Sequence, residues 1–365
     1  MLTRLYIDNF RCFVGFEYRP GRTNLILGRN GSGKSSMLDT LSVLRQFIVR
    51  GDRAEDLFML DQRTRWESHP DQSFEIEATI ADGTYHYRLV IEPSGKLPRP
   101  VVASETLRLN GKTLLEFRAG EVEFYNDGEH QVTYPLEPDR SSLVTASTEK
   151  TSLIRSFKSW LAHVYSFRLN PFAMGLQAEG ENVYPNVNLS NIASWYRHLL
   201  QDDPRENQEL LLSLRDAIEG FRSLELKEGW ENVRLLLADF EQKGGSVKLY
   251  FSELSDGQRC LIGLYVILHY AIAKGNTVII DEPENFISLA EIQPWLMKVV
   301  DVLGEGKGQI FLISHHPELI NQLAPSHGVQ FVRNDVGSIC VEPFHGDPGS
   351  SLPPAELVAR GWERG

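Results

Sequence analysis

The sequence predicts an α/β fold: a parallel-core sheet that carries an antiparallel β subdomain and a helical insertion. Three observations predict it. Compact apolar runs sit beside helical patterns at both ends of the chain, at residues 24–27, 277–280 and 309–313, as in a buried parallel sheet. Between residues 74 and 132 the apolar positions recur every second residue, the period of a half-buried strand. From 151 to 240 the pattern is mostly helical. This divides the chain into a first lobe at 1–140, a mainly helical insertion at 141–245, a second lobe at 246–345 and a tail at 346–365.

Taken in order, residues 2–7 and 14–18 read as short strands, and 24–27 as a strand ending at Gly28. A glycine-rich turn leads into a helix over 34–47, with Met37, Leu38, Leu41, Leu44 and Phe47 at helical spacing. Residues 50–72 are polar and read as a loop. Residues 74–80 alternate cleanly, turn at Asp82-Gly83 and return over 85–91, which is a β-hairpin. Asn110-Gly111 and Asp127-Gly128 mark further turns. Residues 207–221 form an amphipathic helix closed by Gly220, with no heptad run that would make a long coiled-coil arm. A strand at 246–251, an apolar helix at 257–273, the strand at 277–280, a helix at 290–303 and the strand at 309–313 complete the pattern.

Composition narrows the function classes. The 365 residues are 42% apolar and 24% charged, enough to bury a core without covalent staples. A net charge of −12 excludes a surface wrapped all round by nucleic acid, but leaves room for a local basic groove. Arg45, Arg50, Arg53, Arg63 and Arg65 form such a cluster. It reads first as a solvated face and second as a track for a nucleic-acid backbone. Cys12, Cys260 and Cys340 make neither a disulfide framework nor a metal pair, which points to a reducing cytoplasm. The N-terminus lacks a signal-peptide core, and no apolar run is long enough to span a membrane.

Four segments carry chemistry. Gly28-Arg29-Asn30-Gly31-Ser32-Gly33-Lys34-Ser35 matches G-x-x-x-x-G-K-[ST] in full, between a strand and a helix. Its glycines let backbone N–H groups turn toward an anion at a helix N-terminus. Asn30, Gly31, Ser32, Gly33, Lys34, Ser35 and Ser36 are the candidate ATP-binding residues. Lys34 reaches for the β- and γ-phosphates, and Ser35 for Mg2+. The strand ending in Asp281-Glu282 supplies a metal-binding carboxylate, Asp281, and a base for the attacking water, Glu282. Leu254-Ser255-Asp256-Gly257-Gln258-Arg259 opens a helix, and Ser255, Gly257 and Gln258 form a second candidate anion site there. The alternative for Ser255 is a plain helix cap. The fourth segment, Ser314-His315-His316-Pro317, follows the last apolar strand.

These motifs together resemble the ABC-type P-loop NTPases. They are most similar to the stand-alone ATPases related to the overcoming-lysogenization-defect (OLD) proteins, and more distantly to RecF and to the heads of SMC-type proteins. The opening Leu5-Tyr6-Ile7-Asp8-Asn9-Phe10-Arg11-Cys12-Phe13 is similar to their first strand and turn. Asp281-Glu282-Pro283-Glu284-Asn285 and Ser314-His315-His316-Pro317 are similar to the OLD-like branch. The resemblance makes Leu254–Gln258 a signature motif with Asp256 in place of a glycine, lying at the required distance before Asp281. It makes His315 a contact of the γ-phosphate and the attacking water, and Arg11 a contact of the nucleotide. Gln46 and Gln62 both stand as the family's Q-loop glutamine, and Asn285-Phe286-Ile287-Ser288-Leu289 departs from the usual D-loop. The roughly 50 residues after His315 leave no room for a TOPRIM nuclease.

The resemblance implies a Mg2+-dependent ATP hydrolase. It works as a head-to-tail homodimer with ATP between the Lys34 site of one copy and the Ser255 site of the other. It further implies a sensor or regulator in bacterial anti-phage defence, controlling a separately encoded effector. The alternative is a RecF- or SMC-like DNA-maintenance ATPase. A membrane transporter motor and a non-hydrolysing binding module fit the residues less well.

Overall fold

In the computed structural model, residues 1–96, 98–126, 129–146, 151–334, 337–345 and 352–361 are described. The chain falls into two compact units that are discontinuous in sequence. One comprises Met1–Val164, Leu323–Leu352 and Leu357–Gly365, and the other comprises Tyr165–Gln322 and Pro353–Glu356. The division read from sequence was into consecutive segments.

Alternation builds the first unit. Phe74, Ile76 and Ala78 are buried, and so are Tyr85, Tyr87 and Leu89 on the returning strand. The hairpin they form grows into an eight-stranded antiparallel sheet. Its order is Phe16–Tyr18, Leu2–Asp8, Gln72–Ile80, Gly83–Ser94, Arg99–Leu109, Lys112–Arg118, Glu121–Asn126 and Glu129–Pro135. The turn expected at Asp127-Gly128 lies outside the described residues. The helix Ser152–Ala162 lays Phe157 against Tyr85 and Tyr87. Glu105 is fully buried in this unit. It accepts hydrogen bonds from Tyr87 Oη at 2.7 Å, Ser141 Oγ at 2.6 Å and the Ser142 N–H at 2.6 Å. Burial pushes its carboxyl up from the ordinary value, against the pull of those donors.

The same unit holds the glycine-rich turn. The strand Thr23–Leu27 pairs in parallel with Gly328–Arg333, which pairs antiparallel with Ile339–Pro343. The helix Lys34–Arg45 follows the turn and widens into a π-helical turn over Gln46–Arg50. The stretch read as a loop, 50–72, contains a short helix, Ala54–Leu57, and a 3-10 turn, Leu60–Gln62.

In the second unit Thr277–Asp281 and Gln309–Ile313 are parallel and fully buried. The helices are Ile192–Asp202, Pro204–Ala217, Asp256–Ile267 and Leu289–Gly304. The mostly helical reading of 151–240 fails at its C-terminal end. Phe221–Glu228 and Arg234–Gln242 are antiparallel strands, and the second also pairs with Gly245–Tyr250. The helix expected over 207–221 ends at Ala217 instead, and Gly220 at φ +72° turns the chain into the first of these strands. Val233, Leu236, Leu237 and Ala238 are all buried here. A run buried on consecutive positions loses the alternation that marks a strand, so its period reads as helical. Among the described residues no helix is long and apolar enough to cross a membrane.

Candidate functional site

The site begins where a buried strand must turn sharply. Gly28 has φ +145°, and a Cβ there would stand 2.6 Å from Ser32 Oγ and 2.7 Å from the Phe331 carbonyl oxygen. Only glycine fits. Gly31 and Gly33 also have positive φ, +79° and +91°. The Ser32 N–H donates to the Arg29 carbonyl at 3.1 Å and closes the loop. The helix at Lys34 starts from Gly33, which contributes no side-chain cap. Lys34 is buried, and Nζ donates to the carbonyls of Gly28 at 2.6 Å and Arg29 at 3.2 Å. Ser32 Oγ is buried with no hydrogen-bond partner. Asn30 and Ser35 are exposed and Ser36 is half-buried.

These observations suit a phosphate. Turned glycines, an uncapped helix start, an orphaned buried hydroxyl and an ammonium group held across the loop all offer donors to one anion. Each unit carries one hard oxygen donor of the kind Mg2+ takes, the Ser35 hydroxyl in the first and the Asp281 carboxylate in the second.

Around this loop the first unit gathers more cations. Arg11 has φ +55°, pairs with Asp39 through Nη1, and donates its N–H to the Gln62 carbonyl at 2.6 Å. Arg333 donates to the Gly31 carbonyl at 3.1 Å and lies over the Trp66 ring, 5.6 Å from its centroid. Of the two Q-loop candidates, Gln46 bonds its own helix at the Ser42 carbonyl, 3.3 Å away. Gln62 touches Arg11, and its Oε1 is buried without a partner.

The remaining predicted residues belong to the second unit. Ser255 caps the helix Asp256–Ile267: its Oγ accepts from the Gln258 N–H at 3.2 Å, and Gln258 Oε1 accepts from the Ser255 N–H at 3.1 Å. Asp256, the departure from the signature glycine, pairs with Arg259, whose Nη1 donates to the Pro171 carbonyl at 2.7 Å. Gly257 passes close under the D-loop, for a Cβ there would lie 2.8 Å from the Phe286 carbonyl oxygen.

Asp281 ends the buried strand with its side chain 8% exposed. A guanidinium covers it: Arg168 Nη2 is 2.6 Å and Nε 3.0 Å from Oδ2. Glu282, by contrast, is exposed. Its N–H still continues the ladder to the Ile313 carbonyl at 2.8 Å, but φ of +53° swings the residue out of strand geometry. Asn285 Nδ2 donates to Glu282 Oε2 at 2.7 Å. Ser314 is fully buried, donates to Glu284 Oε1 at 2.7 Å and accepts from the His316 N–H at 2.9 Å. His315, between them, is exposed.

Sequence reasoning passed over Arg168 and gave Asn285 no role beyond marking a departure from the usual D-loop. Nothing in the local pattern marks Arg168, which lies 113 residues before its partner. Asn285 stands three residues after Glu282, a spacing that was legible.

Residues 24–321 match the family described as "AAA domain, putative AbiEii toxin, Type IV TA system". The chain belongs to this family. The fold of this AAA domain is similar to that of an SMC head domain from Thermotoga maritima, at a TM-score of 0.52 and 12% identity over 94% of this chain and 99% of that one. It is also similar to an SMC head bound to the C-winged helix domain of ScpA, at a TM-score of 0.56 and 14% identity over 93% and 96%. No curated protein matches the chain by sequence. The protein is thus an AAA-domain protein whose fold is that of the SMC heads.

Proposed function

We propose that this AAA domain hydrolyses ATP in a composite site formed by two copies of the chain. The observation that carries the reading is the glycine-rich loop, whose backbone geometry and buried donors suit a triphosphate. In this reading Lys34 exchanges the Gly28 and Arg29 carbonyls for phosphate oxygens, and Ser32 and the N–H groups from Gly31 to Ser36 surround the β-phosphate. Arg11 flanks the nucleotide. Ser35 and Asp281 would hold Mg2+, which when bound would neutralise charge at the β- and γ-phosphates.

Water attacks the γ-phosphorus, and the bond from that phosphorus to the β–γ bridging oxygen breaks. Glu282 accepts the proton of the attacking water, with Asn285 fixing one of its carboxylate oxygens. His315 orients the same water against the γ-phosphate. Ser255, Gly257 and Gln258 of a second copy close the site from the other side with a helix N-terminus. ATP therefore joins two copies head to tail, and hydrolysis releases them.

The biological use we infer is that of a sensor or regulatory subunit in bacterial anti-phage defence, acting on a separately encoded effector in the cytoplasm. The family's description as a toxin–antitoxin component supports it. A second reading, a DNA-maintenance ATPase, draws on the SMC-head fold; a cavity of about 340 Å³ presents Arg63 and Arg65, but Asp61 and Glu67 line it as well. DNA-stimulated hydrolysis that falls steeply with salt would favour this second reading over the first.

The test of the chemistry is Glu282→Gln. Hydrolysis should drop by about a hundredfold or more, and a dimer should accumulate in Mg-ATP, read by light scattering. Hydrolysis at the wild-type rate would remove Glu282 from the mechanism.

A further inference from the structure

The Asp281 carboxylate is almost wholly buried, yet the group that neutralises it is a side chain 57% exposed to solvent. That combination has a direction. A buried carboxylate without a counter-charge costs several kcal/mol, so Asp281 needs a cation at all times. Arg168 supplies one, with Nη2 and Nε both aimed at Oδ2. Being mostly in water, its guanidinium can swing away at little cost in desolvation. A divalent cation at the same carboxylate would neutralise it more fully and repel the guanidinium, because like charges a few ångströms apart oppose one another.

We propose that Arg168 is a counter-ion latch on Asp281, closed when the divalent metal is away and opened when metal arrives with nucleotide. This rests on the reading of Asp281 as a metal-binding residue of the composite site.

The latch is placed to be felt elsewhere in its unit. Arg168 starts a short segment whose next contacts reach the other two motifs. The Pro171 carbonyl accepts from Arg259 Nη1 on the signature helix at 2.7 Å. The Phe172 ring meets Phe286 of the D-loop edge-on, 5.7 Å between centroids. Phe172 is 73% exposed and Phe286 50% exposed, and Phe286 sits at φ +70°, a strained conformation for an aromatic residue. Release of the Arg168 guanidinium removes its tie to Asp281 while the Arg168 N–H keeps its bond to the Val187 carbonyl at 2.8 Å, and the other end of this five-residue strap lies on the signature helix and the D-loop. Metal loading and the second anion site are coupled through residues 168–172.

The experiment measures metal binding rather than turnover. Full-length wild type, Arg168→Ala, Arg168→Lys and Lys34→Ala are titrated with Mn2+ in the presence of a non-hydrolysable ATP analogue, with free Mn2+ read by electron paramagnetic resonance. Arg168→Ala should bind Mn2+ about tenfold more tightly than wild type, the factor by which a closed latch reduces the competent fraction. Arg168→Lys should fall between them. In EDTA, Arg168→Ala should melt several degrees below wild type, and Mn2+ with the analogue should restore it. Mn2+ affinity in Arg168→Ala within twofold of wild type, or weaker, overturns the latch while leaving the composite site standing. Failure of wild type itself to take up Mn2+ with the analogue, or uptake undiminished in Lys34→Ala, overturns the composite site and the latch with it.

Discussion

The glycine-rich loop and the signature helix start both present a helix N-terminus, and they differ in what holds them. At the loop the helix begins on Gly33 with no side-chain cap, and Ser32 Oγ is buried without a partner. At the signature the helix begins on Ser255 with a complete capping box. The first end has no side chain capping it. The second has one of its donors, the Gln258 N–H, already bonded to its own serine, so an anion there competes with a cap. The loop is therefore the high-affinity half of the proposed site. The signature half engages only when a second copy brings a phosphate strong enough to displace a neutral hydroxyl.

Substitution at the loop glycines breaks the comparison most severely. Gly28→Ala places a methyl group against the Phe331 carbonyl and demands φ +145° of an L-residue. It should cost about 3 kcal/mol of stability and abolish nucleotide binding. Gly31→Ala meets nothing within 4 Å and is strained only by its φ of +79°. Its cost should be about 1 kcal/mol, visible in a denaturant titration, with the loop still binding ATP weakly. Equal costs for the two would show that close packing at Gly28 does not set the loop.

A smaller effect is expected at the carboxylate pair. Asp281 is buried under Arg168, whereas Glu282 is exposed and its carboxylate is held by Asn285. Asn285→Ala should lower the hydrolysis rate about tenfold, as the base loses its orientation, and leave ATP affinity unchanged. A rise in the Michaelis constant with an unchanged turnover number would instead place Asn285 in binding.

The same contrast explains what the sequence made legible. The loop is a backbone motif: three glycines at fixed spacing dictate positive φ angles, and those angles make the donors converge. The hairpin from Gln72 to Ser94 was equally legible, because alternation and a turn dipeptide are both local. Arg168 was not, since its role depends on a tertiary contact across 113 residues. Nor was the strand Arg234–Gln242, where burial on successive positions hides the twofold period. The departure at Asp256 read as a defect in a motif. Its ion pair with Arg259, and the bond from Arg259 to Pro171, give it a structural role that only the folded unit reveals.

The finest discrimination concerns Ser255, where cap and phosphate ligand are the same hydroxyl. Ser255→Ala removes both and should cost about 1 kcal/mol of stability; Ser255→Gly keeps a tolerated cap residue and should cost only a few tenths. If the hydroxyl also meets a phosphate of the neighbouring copy, both variants should lose the ATP-dependent dimer to a similar degree despite their different stabilities. Thermal melting and light scattering in Mg-ATP, run on Glu282→Gln as the background, separate the two roles. Dimer loss that tracks the melting temperature would make Ser255 a cap and nothing more, with its hydroxyl holding the Gln258 N–H, and the second anion site would then rest on the Gly257 N–H.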